Sequence, residues 1–275
     1  MVAALGRLGV VWMKGLYVLK LGGSLVTDKS SAEPKLAPDA LLKRLSAEIR
    51  DFCADGASLI VVHGAGSYGH PLAKSSGIHE GIRTKDQLVA FAETQKQVNE
   101  LAVNVAGYLI RAGVPAMPVQ ASASAVMNSG KLEKMDVDVI RDLLDIGMVP
   151  LLYGVPAYDR TNGCSILSGD EIAPYLARAL QAKLIVHASD TDGIFTADPR
   201  KDKSATLIEL VTRDNLGEVR KSLSGSSHVD VSGGAERKVM ELFNFGVESC
   251  IVNGFTEGNI LRALRGERVG TRIVP

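Results

Sequence analysis

Three lysines of this chain stand in or beside glycine-rich turns, and that placement defines the chemistry to look for. Lys20 ends the apolar run Leu16–Leu21 and is followed by Gly22–Gly23–Ser24. Lys29 comes a few residues later, in the polar stretch Leu25–Lys35, and Lys238 lies one turn inside a helix opened by Gly233–Gly234. A cation at the end of a greasy strand is costly unless something anionic meets it. Glycine lets backbone N–H groups approach a charged ligand with no Cβ in the way, and a helix start adds its own donors. A second such turn, His63–Gly64–Ala65–Gly66–Ser67–Tyr68–Gly69–His70, again follows an apolar strand. Ser168–Gly169–Asp170–Glu171 reads as a helix cap, for which Ser and Asp need no further role. Anion binding by clustered lysines and backbone donors is the chemistry these patterns share.

The elements that position these residues alternate. Apolar runs at Leu16–Leu21, Ser58–His63, Val114–Val119, Met148–Tyr153, Leu184–Ala188, Glu248–Val252 and Gly270–Val274 read as strands. Helical patterns cover Asp39 to about Cys53, Asp86–Arg111, Val137–Ile146, Ser168 to about Gln181, the segment after Gly234, and Thr256–Leu264. Strand and crossover helix in turn predict an α/β fold, an open and mostly parallel sheet sandwiched by helices. Residues 154–168, with Pro156 and Asn162–Gly163, read as a β-hairpin excursion from it. Residues 1–15 are expected to be an N-terminal extension, with Met13 as an alternative start just ahead of the first strand. Asp190, Asp192 and Gly193 follow a strand end, where open α/β sheets bind ligands, and Asp-x-Asp also suits magnesium.

Composition narrows the partners. The 31 basic and 31 acidic residues cancel, so neither nucleic acid nor a membrane surface is expected, and any bound anion must be held locally. Cys53, Cys164 and Cys250 lack metal-ligand spacing and fit a reduced, cytoplasmic protein. No Gly-x-x-x-x-Gly-Lys-Ser/Thr run is present, so this is not a P-loop protein.

Together, Lys20–Ser24, His63–His70, Ser168–Asp170, Thr191–Phe195, Gly233–Gly234 with Lys238, and Gly270–Ile273 resemble the amino acid kinase superfamily, and within it the isopentenyl phosphate kinases. The terminal His70 discriminates, being typical of that branch and of its fosfomycin kinase relatives. Ala65 stands where many relatives have a third glycine, a change alanine tolerates at any φ below zero. The resemblance covers residues 16–275. It implies an acceptor-binding part to about residue 165 and an ATP-binding part from about 166. It further implies ATP phosphates on Lys20, Gly22, Gly23, Ser24, Gly66, Gly234 and Lys238, with the adenosine half at Asp190, Asp192 and Gly193. Lys29 would steady the transferring group, and Asp170 would orient Lys20 and Lys238 rather than act as a base. A phosphate acceptor is already ionised, so His70 is expected to donate a hydrogen bond to it, aided by backbone around Ala65, Gly69 and Gly169. The long helix, through Phe91, Thr94, Gln95 and Val98, is the expected wall for a prenyl tail. Mg2+ would be held mainly by phosphates and water, with no protein ligand, and the assembly would be a homodimer. A kinase acting on fosfomycin, a nucleoside monophosphate or a carboxylate, and a non-catalytic nucleotide-binding protein, are the alternatives.

Overall fold

The computed structural model describes residues 15–28, 30–31, 33–197, 199, 202–224 and 234–275. Twelve strands form two sheets: β1 Leu16–Leu21, β2 Ser58–His63, β3 Ala116–Pro118, β4 Ala125–Asn128, β5 Lys131–Met135, β6 Val149–Tyr153, β7 Val155–Asp159, β8 Gly163–Leu167, β9 Leu184–Ser189, β10 Leu210–Thr212, β11 Ser249–Asn253 and β12 Thr271–Val274. The α-helices among the described residues are α1 Gly23–Val26, α2 Asp39–Ala54, α3 His70–Ser75, α4 Lys85–Arg111, α5 Asp138–Asp145, α6 Gly169–Ala179, α7 Leu216–Ser224, α8 Gly234–Phe245 and α9 Asn259–Leu264.

The main sheet has eight strands in the order β10-β12-β11-β9-β1-β2-β6-β3. Every pairing in it is parallel except β11 with β12. The chain runs outward from β1 through β2 to one edge, then returns to lay β9 on the other side of β1. The C-terminal end of β1, with Lys20, is therefore the point where the strand order reverses, and ligands bind there in open α/β sheets.

Both faces of the sheet are covered, so its strands are apolar on both sides rather than alternating. Leu19 and Leu21 face a core with Leu45, Ile49, Leu101, Leu109 and Leu264, contributed by α2, α4 and α9. Val18 faces the opposite core, with Ile172 and Leu176 of α6. Lys20 shares the face of Val18, because side chains alternate along a strand.

The structure corrects several boundaries. The glycine turn after β1 starts the short helix α1, and its Leu25 and Val26 are fully buried rather than part of the polar loop. The predicted hairpin, β7 with β8, is half of a second, four-stranded sheet of order β5-β4-β7-β8. Its other half, β4 and β5, turns at Ser129–Gly130 and escaped detection because the strands are short and the second is mostly charged. Thr256–Gly258 is not helical: Gly258 is left-handed (φ +78°) and α9 starts after it. The expected extension, residues 1–15, lies outside the described residues apart from Gly15.

Candidate active site

Four adjacent strands end at one level. Beyond β1, Gly22 N–H donates to Ala188 O (2.8 Å); beyond β2, Gly64 N–H donates to Leu21 O (3.0 Å); beyond β6, Gly154 N–H donates to His63 O (2.9 Å). These bonds draw the following loops into one rim. Gly23 and Gly66 lie against each other so closely that a Cβ on Gly23 would stand 2.9 Å from Gly66 Cα. Gly66 is itself left-handed (φ +51°), as only glycine adopts readily. Buried Thr27 clamps the two turns, its hydroxyl donating to Gly23 O (2.8 Å) and accepting from Ser67 N–H (3.1 Å).

A charge cluster sits in this rim. Lys20, 8% exposed, places Nζ 3.0 Å from both carboxylate oxygens of Asp170. Lys238 Nζ approaches the same carboxylate at 3.8 Å from the second turn of α8. Asp170 is held by a capping box: Ser168 Oγ accepts Asp170 N–H (3.1 Å), and Glu171 accepts Ser168 N–H (3.4 Å). Cap and charge cluster are thus one construction. Burial on its protein side would push the Asp170 carboxyl up, but the charges of Lys20 and Lys238 outweigh it and hold it down at about 2. Burial pulls the Lys238 ammonium down, with Asp170 opposing and Lys20 reinforcing. The acid stays ionised, and two ammonium groups remain to face an anion.

Beside the cluster lies an apolar cavity of about 310 Å³. Val98, Val155, Pro156 and Ile166 supply its carbon walls, and His70, Lys74 and His79 its nitrogen atoms. Small residues join the two. A Cβ on Gly154, at the cavity wall, would lie 3.3 Å from Gly169 N and 3.7 Å from Ala65 N; one on Gly169 would lie 3.6 Å from Lys20 Cε. The cavity wall at Ala65 and Gly154 is thus in direct contact with the loop that carries Gly169 and Asp170, beside Lys20.

The sequence pattern of the amino acid kinase family matches residues 15–252. The chain belongs to the amino acid kinase family. Among curated relatives of this kinase, the isopentenyl phosphate kinase of Methanothermobacter thermautotrophicus is 39% identical over 94% of the chain and 98% of the relative. That of Methanocaldococcus jannaschii is 32% identical over the same shares. A solved isopentenyl phosphate kinase superposes with a TM-score of 0.80 at 35% identity, covering 94% of this chain and all of the other. A UMP kinase from Bacillus anthracis, 19% identical with a TM-score of 0.64, shares the fold alone.

Of the site residues expected from the sequence, the kinase brings together Lys20, Gly22, Gly23, Ser24, Ala65, Gly66, Gly169, Asp170 and Lys238 around the rim, with Gly69 and His70 on the adjoining cavity. Ala65 has φ −70°, so alanine is unstrained there. Asp190 and Asp192 are exposed beyond β9, where Asp192 accepts from Asn253 Nδ2 (3.0 Å). Gly193 N–Cα lies against β12 so tightly that a Cβ would meet Thr271 Oγ1 at 2.5 Å. Lys29 and Gly233 lie outside the described residues, and Gly234 begins α8.

Phe91 does not line the cavity. Thr94 and Val98 are the lining residues of α4, and Phe91, a turn earlier on that face, packs against the small core of Ala73, Ile78 and Cys164. Gln95 likewise points into a side-chain network with Asn99 (2.9 Å) and Ser122 (3.3 Å). Sequence reasoning missed the far wall, Val155, Pro156 and Ile166, because it belongs to the hairpin. It also missed Lys74, although four residues beyond His70 is the same helix face.

Proposed function

We propose that this amino acid kinase transfers the γ-phosphoryl group of ATP to isopentenyl phosphate, forming isopentenyl diphosphate and ADP in an alternative mevalonate route of isoprenoid synthesis. One observation carries the reading: a small apolar cavity edged by His70 adjoins, through Ala65, Gly154 and Gly169, two lysines gathered on one carboxylate. About 310 Å³ is at the small end for ligand pockets and suits a short carbon tail. Curated relatives named isopentenyl phosphate kinase, at 39% and 32% identity, support the same acceptor.

Phosphoryl transfer asks the protein to hold donor and acceptor in line and to neutralise charge. Lys20 and Lys238 supply the positive charge, and Asp170 fixes where their ammonium groups point. His70 and the backbone near Ala65, Gly69 and Gly169 hold the acceptor phosphate, which needs no base. Lys29 meets the group in flight. Gly22, Gly23 and Gly66 let the two turns pack backbone against backbone, where a Cβ would meet protein atoms, and so bring backbone N–H groups to the rim for nucleotide phosphates. Among the described residues no three His, Cys, Asp or Glu side chains converge. Magnesium would enter with the nucleotide, held mainly by its phosphates and water, and would supply further positive charge. In this reading the part to about residue 165 holds the acceptor, and the part from about 166 holds ATP with its adenosine near Asp190, Asp192 and Gly193. We further infer a cytoplasmic homodimer, for which exposed Val103 and Ile110, seven residues apart on α4, and Met117 on the edge strand β3 offer an apolar face.

A coupled ADP-release assay with isopentenyl phosphate, fosfomycin and UMP tests the reading. Turnover is expected with the first alone; preferred turnover of either other acceptor overturns it.

A further inference from the structure

One buried group beside the charge cluster has no partner of its own. His187 stands on β9, 1% exposed, and among the described residues neither ring nitrogen makes a hydrogen bond. Unsatisfied polar atoms at such depth are costly and uncommon in folded proteins. Its position explains why one persists here. His187 is in register with Lys20 across the β9–β1 pair, so the two side chains share the face that α6 covers. Its Nδ1 lies 4.0 Å from Asp170 Oδ1, about an ångström beyond hydrogen-bond length.

Resting on the reading that Lys20 and Lys238 serve nucleotide phosphates, we propose that His187 is a positioning residue for phosphoryl transfer, an uncharged Nδ1–H donor held beneath Asp170. As Lys20 stands, it bonds both oxygens of Asp170. When Lys20 turns an N–H toward a phosphate oxygen, one carboxylate oxygen loses its donor. The Asp170 side chain is half exposed, so water can fill that gap, but water does not fix the direction in which the acid points. His187 replaces the missing bond from below, and Asp170 keeps its orientation and its hold on Lys238 while the lysines engage the ligand. A neutral donor serves better than a third cation, whose charge would repel both lysines. Burial, joined by the charge of Lys238, holds the imidazole down at about 3, so it stays neutral.

The substitutions His187→Phe, His187→Asn and His187→Gln separate this role from simple packing. Asn places an amide N–H where Nδ1 stands; Gln reaches toward Nε2; Phe fills the space with no donor. Phe should fold at least as stably as wild type, since it replaces two unpartnered polar atoms with carbon. It should nevertheless lower kcat about 10- to 100-fold with KM for ATP little changed, as expected for a hydrogen bond to a charged group made during transfer. Asn should recover most of that loss and Gln little. Wild-type kcat in a folded Phe variant, or equal losses for folded Asn and Phe variants, overturns the proposal. An independent arm uses wild-type protein with 15N-labelled imidazole: the Nδ1–H tautomer is expected, with its proton moving downfield when AMP-PNP and Mg2+ are added. An Nε2–H tautomer, or a proton unmoved by bound AMP-PNP, overturns it. Wild-type inactivity toward isopentenyl phosphate would sink the functional reading instead, leaving the imidazole signal to decide for His187.

Discussion

An acceptor that arrives as a phosphate asks for hydrogen-bond donors rather than for a base, and His70 can supply one at the edge of the apolar cavity. His70→Ala should raise KM for isopentenyl phosphate, at a cost on the order of 1.5–3 kcal/mol, and His70→Gln should keep part of the binding. Steady-state kinetics with an unchanged KM in the Ala variant would remove His70 from the acceptor site. The lysines should separate by kinetic signature. Lys20→Ala takes away the partner of Asp170 and, on the proposed reading, a phosphate contact, so kcat and ATP affinity should fall together. Lys29→Ala should depress kcat far more than ATP affinity, because a contact made chiefly in the transition state appears in turnover. Isothermal titration with AMP-PNP beside single-turnover rates decides; a pure affinity loss for Lys29→Ala would make it a docking residue. Lys20 was legible because a cation in a greasy strand breaks the local pattern, whereas Asp170, an acid at a helix start where one is expected, was singled out only by the family resemblance. His187 was not, since a lone histidine in an apolar run carries no spacing that distinguishes a silent core residue from a working one.

The hairpins show how elements place residues that have no motif. Asp159, fully buried at the end of β7, accepts from the N–H groups of Ser129 (3.2 Å), Gly130 (2.8 Å), Thr161 (2.8 Å) and Asn162 (2.8 Å) and from Ser165 Oγ (2.6 Å). One carboxylate thereby ties the turn of β4–β5 to that of β7–β8, and the second pair carries Val155, Pro156 and Ile166 to the cavity. Asp159→Asn sets an amide donor among these N–H groups, so about 1–3 kcal/mol of stability should be lost. KM for isopentenyl phosphate should rise more than KM for ATP. Chemical denaturation and the two Michaelis constants check this; equal changes in both would mean that the knot supports the whole molecule rather than the acceptor wall. Nothing in the sequence around Asp159 announces it, because its donors come from turns about thirty residues apart. The main sheet was legible for the opposite reason: buried parallel strands are continuous apolar runs, each readable alone. Phe91 shows the limit of periodicity. Of the four residues expected on the wall, Thr94 and Val98 line the cavity, and where along the helix the cavity ends depends on the hairpin opposite. Phe91→Ala should therefore cost stability with an unchanged preference between isopentenyl and geranyl phosphate, seen in thermal melts and the ratio of kcat/KM values.

Over the whole molecule, the two buried imidazoles at the strand ends make folding sensitive to acid before any carboxylate does. His63 and His187 are both buried in the main sheet, and burial holds them down at about 4 and about 3, against 6.5 for an ordinary histidine. The unfolded chain thus takes up protons as pH falls through 6.5, while the folded chain declines them until about 4 or below. Stability must fall across that window, by up to about 1.4 kcal/mol per pH unit for each histidine. Asp170 behaves differently: with its acid held at about 2, the stability it contributes is intact above the usual carboxylate range and is lost only below it. Urea unfolding near pH 7 and near pH 5 should accordingly show a loss of about 2 kcal/mol per buried histidine. The double variant His63→Phe with His187→Phe should be flatter over the same interval, because the groups that titrate only when unfolded are gone. Carboxylates shared by both proteins cancel in the comparison. Parallel curves for the variant and the wild type would mean that the imidazoles accept protons while folded, and that the strand ends around Lys20 are wetter than their packing shows.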